Sequence, residues 1–334
     1  MPLPSFCNPF DFFLEVVSDP TKPAKELNDC YSKLCKEEVI NEQVKLHEIY
    51  KSKEIFNEDN LRQVGWCTEY NLLLQRSFIN YVRNKTLFIV KILNILFLAI
   101  IYGSFCYGIG TDSKKNNLLQ NYTAYFFNNV STAFQNGIYS SIFMLPLIKT
   151  VLKREYTAKL YRLSSFYFSL ITTVLINSLL YGIIFTSILF SATQFFFDDP
   201  LNSIKHYLLL FLTNIVNFTI GQYFGIFVGG SFSEYTSFVL TPIFFTSFML
   251  GCGVFRGVST IPSYMSWLLY VSPYKYFMEL ETKLFSDYNA ITEIIPIKLD
   301  YNYGLDVCIY ALTTFTLITL LLGFIGLKYY SAKF

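Results

Sequence analysis

The strongest candidate for a chemical role is a short charged segment between two uncharged ones. Five basic groups and one acid lie within residues 149–162: Lys149, Lys153, Arg154, Glu155, Lys159 and Arg162. Such groups form charge-assisted hydrogen bonds and ion pairs with a partner surface rather than making or breaking bonds. For Glu155 two interpretations stay open, an ion pair with a partner protein and a solvated surface acid.

The flanking runs, 116–148 and 163–197, contain no charged side chain. About 20 apolar residues span a bilayer core, so both runs predict membrane helices, and the basic loop between them is expected on the cytoplasmic side. The same pattern predicts an all-α polytopic membrane protein with both termini inside. Six spans are expected, at 87–107, 123–147, 166–193, 207–228, 236–255 and 307–327.

Four amides lie in the second predicted span, at Asn128, Asn129, Gln135 and Asn136. Polar groups in hydrocarbon usually face the bundle interior, where they bond other helices or line a path. Structural bonding and substrate contact both remain open for them. Phe134 has the same two interpretations, stacking on a flat apolar substrate or packing.

Other chemistry is disfavoured by composition. The chain has 334 residues, of which 53% are hydrophobic and 15% charged, whereas a soluble domain has roughly 25% charged. A net charge of +2 without a basic stripe gives no nucleic-acid interface. The two histidines, His47 and His206, form no catalytic dyad, and the seven scattered cysteines form neither a zinc site nor a disulfide framework. We therefore expect no catalytic residue and no metal.

The remaining segments complete the expected topology. Residues 1–65 predict a cytoplasmic leader or linker, and 66–334 a membrane domain that begins with an amphipathic interfacial helix at 66–83. Pro262 and Pro273 argue against a straight span near 257–276, so a re-entrant or interfacial hairpin is expected there. Asn121, in Asn-Tyr-Thr, is an external glycosylation sequon under this topology.

Three motifs in order resemble a known family. Asn8–Phe13 resembles the Asn-Pro-Ala-Asp-Phe motif that follows the nucleotide-binding domain in G-subfamily (White-type) ABC transporters. Arg154-Glu155-Tyr156 with Tyr161–Tyr167 is similar to that family's first intracellular loop, and Ile261–Tyr276 to its external re-entrant segment. The resemblance covers nearly the whole chain.

The resemblance implies the transmembrane domain of a type-2 ABC exporter that works as a homo- or heterodimer. Substrate would occupy a cavity between two such domains, and ATP hydrolysis in a motor domain would drive its transport. Residues implied for coupling to that motor are Lys153, Arg154, Glu155, Tyr156 and Arg162. Residues implied for the cavity are Asn129, Phe134, Asn136, Val254 and Phe255, the last two where some relatives carry paired leucines.

No Gly-x-x-x-x-Gly-Lys-[Ser/Thr] loop occurs in the sequence. Because that loop cradles the phosphates of ATP, we expect ATP and Mg²⁺ on a nucleotide-binding domain supplied in cis or in trans. The expected function is export of a hydrophobic or amphipathic molecule such as a lipid, sterol or drug. The alternative is a truncated, non-transporting scaffold or dimer partner. Membrane lipids are expected partners, in the plasma membrane or an intracellular one.

Overall fold

The computed structural model describes residues 65–109, 118–158, 160–194, 200–285, 295, 297 and 299–332. The predicted leader at 1–65 lies outside these residues except for Gly65, as do Asn8–Phe13 and Lys159. Regular structure in the described part is helical, without a β-strand. The α-helices are α1 Trp66–Arg83, α2 Lys85–Phe105, α3 Leu118–Thr157, α4 Leu163–Thr193, α5 Pro200–Ser231, α6 Glu234–Leu250, α7 Ser266–Val271, α8 Pro273–Leu284 and α9 Leu305–Ala332.

Four of these helices are long and apolar enough to cross a membrane. They are α2, α4, α5 and α9, with qualifying segments Phe88–Phe105, Leu163–Thr193, Asn202–Ser231 and Leu305–Tyr330. Each contains most of a predicted span, namely the first, third, fourth and sixth. The chain is therefore an integral membrane protein, as the sequence predicted.

The second and fifth predicted spans correspond to α3 and α6, which do not meet the same criteria of length and apolar composition. Helix α3 has 40 residues, ample for a bilayer, but its amides reduce its hydropathy. Helix α6 has only 17 residues and ends at Leu250, not at Phe255 as predicted, because the chain turns at Gly251 and at Gly253 with φ +86°. The count of six spans stays a prediction.

Helix α5 is the centre of the bundle. In an 18-residue window of its apolar segment 72% of the residues are buried, against 17% and 22% in the corresponding windows of α2 and α9. The α3–α5 contact is close because glycines lie on both sides. A Cβ on Gly137 would meet the Phe218 carbonyl oxygen, and one on Gly221 would meet that of Phe134. Small residues permit such approach between membrane helices.

The segment after α6 is irregular, as its prolines predicted. Two 3₁₀ turns, Val258–Thr260 and Ser263–Met265, precede the short helix α7. Pro273 occupies the first position of α8, where its missing N–H costs no helical hydrogen bond. Both faces of α8 are largely buried. The chain makes no straight span here, and its re-entrant course through a membrane stays a prediction.

Candidate coupling site and the predicted cavity

Helix α1 lies against α4 with its charged face inward. Glu69 and Leu73 are buried, whereas Leu72 and Ile79 on the other side are 58% and 50% exposed. Trp66 Nε1 donates a hydrogen bond of 3.2 Å to Ser164 Oγ at the start of α4. The face of α1 that packs on α4 thus combines charged, aromatic and apolar side chains, and the position of α1 at a membrane surface stays a prediction.

Arg76 of α1 forms an ion pair with Glu155, near the end of α3. Arg76 Nη1 lies 2.7 Å from Glu155 Oε1 and 2.9 Å from Oε2. The Tyr161 hydroxyl donates to Oε2 at 2.8 Å, and the guanidinium lies 5.8 Å from the centroid of the Tyr161 ring. Burial lowers the pKa of Arg76, but the hydrogen bonds and charges of Glu155 and Tyr161 together raise it above its ordinary value. The three groups connect α1 to the α3–α4 turn.

Glu69 fixes the other end of that turn. Its Oε2 accepts from the Arg162 backbone N–H at 3.3 Å and from Ser165 Oγ at 2.9 Å. Arg162 is the N-cap residue of α4 and makes no side-chain cap bond of its own. A carboxylate at a helix N-terminus satisfies an unpaired N–H and complements the helix dipole. Glu69 thus substitutes for the missing cap.

The structure gathers the predicted coupling residues at one end of the bundle. Lys153, Arg154, Glu155 and Tyr156 lie in the last turns of α3, which runs to Thr157 without a break, and Arg162 follows after the turn. The charged segment is therefore not a separate short helix but the extension of α3. Arg154 is exposed and the other four are half-buried. Their contact with a motor domain stays a prediction.

The sequence interpretation missed the internal partner of Glu155. Neither of its two alternatives, a partner protein or solvent, included Arg76. A signal was present, because Glu69 and Arg76 are seven residues apart on α1 and so lie on one helical face with Leu73. Two opposite charges around a leucine on one face indicate a surface that packs on protein.

Two predicted cavity residues lie inside the core. Asn129 is fully buried and its Nδ2 donates to both carboxyl oxygens of Glu281, at 3.1 and 3.2 Å. Phe134 is also fully buried, with its ring centroid 5.2 Å from that of Tyr274. Both therefore have structural partners here, and their contact with substrate stays a prediction.

The other three cavity residues lie nearer the surface. Asn136 is half-buried and donates to the Thr132 carbonyl of its own helix at 2.8 Å. Val254 is half-buried and Phe255 is 57% exposed, both in the turn after α6. Phe255 contacts the Phe127 ring of α3 at 5.3 Å between centroids. The five residues thus do not converge on one point within a single chain.

Glu281 is a buried acid that the sequence did not single out. It lies in α8, outside the predicted spans, and is fully buried. Burial raises the pKa of its carboxyl to about 8, while hydrogen bonds from Asn129 and Thr213 lower it. Its neighbour Glu279 differs, because its Oε1 pairs with Lys283 Nζ at 2.8 Å. The sequence Glu-Leu-Glu does not indicate which of the two carboxylates forms an ion pair with a lysine.

Asn121 lies in the first turns of α3 and is half-buried. Its use as a glycosylation site stays a prediction. Among the described residues, no group of three or more histidine, cysteine or acidic side chains could hold a metal ion. Four described cysteines, Cys67, Cys106, Cys252 and Cys308, carry free thiols.

Residues 68–285 match the family described as ABC-2 type transporter. The chain belongs to the ABC-2 type transporter family. The match begins in α1 and ends directly after α8, so it includes the Arg76–Glu155 pair and the α3–α5 contact. The turn between α3 and α4 is therefore part of an ABC-2 membrane domain.

Curated relatives confirm the resemblance to the G subfamily. This ABC-2 chain is 23% identical to ABC transporter G family member 4 of Dictyostelium discoideum over 90% of its own length and 37% of the relative's. It is 23% identical to the broad substrate specificity transporter ABCG2 of Bos taurus, over 80% and 44%. It is 22% identical to the protein white of Drosophila melanogaster, over 82% and 40%. The chain spans less than half the length of these relatives.

Proposed function

We propose that this chain is the transmembrane part of an ABC exporter for a hydrophobic or amphipathic molecule, driven by ATP hydrolysis in a motor domain. Family membership supports transport. The observation that carries the coupling is the Arg76–Glu155 pair at 2.7 Å, which ties the charged end of α3 to α1. A displacement of Arg154 or of α1 by a motor domain would move α1 and α3 together, since packed elements shift as rigid bodies.

The proposed substrate path lies between two copies of the domain. Asn128, on α3, is exposed although it lies within a predicted span, five residues after the start of that span. An amide that faced lipid would lose its hydrogen bonds, so this face needs a partner helix or a water-filled cavity. Phe127 and Phe255 border the same face and supply aromatic surface. An amphipathic substrate suits this mixture better than an inorganic ion.

Transport in inside-out vesicles tests the proposal. The full chain is expressed with the polypeptide that supplies its ATPase, and ATP-dependent uptake of a fluorescent sterol, phospholipid or drug-like amphiphile is measured. We expect uptake that stops without ATP. Arg154→Glu should abolish both uptake and co-purification of ATPase activity.

Lys85→Glu is the matched control, an exposed cation near the same end of the bundle, and it should leave both unchanged. An assembled complex that hydrolyses ATP but moves none of the three substrate classes would support the scaffold alternative instead.

A further inference from the structure

A cavity of about 320 Å³ lies between α1, α2, α3 and α4, apart from the predicted substrate path. All four helices contribute the ends that topology places at the cytoplasmic membrane surface. Its floor is apolar, with Phe88, Met144, Leu147 and Val151 among the lining residues. The α1 side is polar and includes Ser77 and Asn80, with Asn84 directly after the helix. The volume lies at the lower end of the roughly 300–1,000 Å³ of small-molecule sites, enough for a lipid head group.

Lys91 places a positive charge in this cavity. It lies six residues after the start of α2, and its Nζ contacts Met144 Sδ at 3.2 Å and lies 5.1 Å from the centroid of the Tyr81 ring. No described carboxylate lies within ion-pair distance of it. The Glu155 carboxylate at the cavity edge is already paired with Arg76. A cation held among apolar groups without an acid favours an anionic ligand.

We propose that this cavity binds an anionic glycerophospholipid, with the net negative charge of its head group beside Lys91 and its acyl chains along the apolar floor. Basic pockets between membrane helices on the cytoplasmic side bind acidic head groups. A soluble anion would gain nothing from Phe88 or Leu147, whereas a lipid gains contact with both. This proposal of lipid binding is independent of the proposed transport function.

Native mass spectrometry of the purified full chain tests the proposal. The chain is titrated in mild detergent with phosphatidylserine and, separately, with phosphatidylcholine. We expect phosphatidylserine to bind about fivefold more tightly, the effect of one basic group at a membrane surface. Lys91→Gln should remove the preference and Lys91→Arg should keep it. Lys85→Gln, which changes an exposed cation one and a half turns earlier, should leave it unchanged.

A second variant neutralises the positive charge in the cavity by adding a negative one. Met144→Glu would bring a carboxylate to Lys91 and should abolish the preference in a chain that melts normally. Equal binding of the two lipids by the unaltered chain would overturn the proposal, as would an unchanged preference in both Lys91→Gln and Met144→Glu. Equally tight binding of glycerophosphoserine, which lacks acyl chains, would identify a soluble anion and also overturn it.

Discussion

Arg76 and Glu155, which are 79 residues apart in sequence, join two helices by an ion pair of 2.7 Å. One partner lies on the amphipathic helix α1 and the other near the end of the longest helix, α3. Tyr161 closes the arrangement from the turn that follows. The charged segment of the sequence is thus connected to the bundle at both of its ends.

Breaking this pair is expected to reduce coupling more than stability. Arg76 is 39% exposed, so Arg76→Gln should lower the free energy of unfolding by no more than about 1 kcal/mol. ATP-driven uptake should fall by roughly two- to thirtyfold, the range of couplings of 0.5–2 kcal/mol. Thermal unfolding and vesicle uptake measure the two effects separately.

The charge reversal Arg76→Glu with Glu155→Arg should restore part of the uptake that either single change loses. Arg83→Gln, on an exposed position of the same helix, is the control and should behave like the unaltered chain. Equal uptake by Arg76→Gln and the unaltered chain would show that the pair is structural only.

The close contact of α3 and α5 predicts strong sensitivity at Gly221. In Gly221→Ala the new Cβ would meet the Phe134 carbonyl oxygen, so the helices must separate. We expect a loss of about 1–3 kcal/mol, as for overpacked cores, although alanine is the better helix former. Gly230→Ala in the same helix is the control, because its Cβ would make only an ordinary contact with Leu327. Thermal melts of both variants in detergent measure the difference, and equal melting temperatures would contradict the close contact.

Charge and apolar length were sufficient to predict most of the membrane helices. The runs that became α2, α4, α5 and α9 lack charged residues in their centres, and a helix is the form that satisfies the backbone there. Trp66–Arg83 was predicted with the bounds that α1 has. These helices could be predicted because the apolar runs and the helical spacing that specify them involve only residues close in sequence.

Long-range pairing could not be predicted in the same way. The end of α6 is an example, because a run of apolar residues continues past Leu250, while the turn depends on the backbone conformation at Gly253. The partner of Glu155 lies in another helix, and several basic residues were equally eligible. The burial of Glu281 depends on α3 packing over α8, which no local pattern reports.

The raised pKa of Glu281 predicts a stability that falls with pH. The folded chain holds the proton up to about pH 8, whereas an unfolded carboxyl releases it near its ordinary value of 4.5. Between these values the folded state binds more protons than the unfolded state, so the free energy of unfolding decreases as pH rises from about 4.5 to 8. Glu281→Gln should flatten this dependence and raise the melting temperature at pH 8 by at least about 2 °C.

Melts of the two chains between pH 5 and 8.5, compared by difference, remove the contribution of all groups that the two chains share. Asp306→Asn, at the exposed start of α9, is the control and should keep the slope of the unaltered chain. Parallel profiles for Glu281→Gln and the unaltered chain would show that Glu281 does not titrate in this range.

Neighbouring amides on α3 are expected to respond in opposite ways. Asn129→Leu removes the donor to the buried Glu281 and should cost about 1–3 kcal/mol of stability. Asn128→Leu replaces an exposed amide and should leave the melting temperature of the single chain nearly unchanged, yet reduce uptake, because its face is proposed to meet a second copy. Asn128→Cys in a Cys67→Ser background should cross-link two chains in membranes, whereas Leu72→Cys on the outer face of α1 should not. Absence of the Asn128→Cys cross-link, together with unchanged uptake by Asn128→Leu, would place the dimer contact on another face.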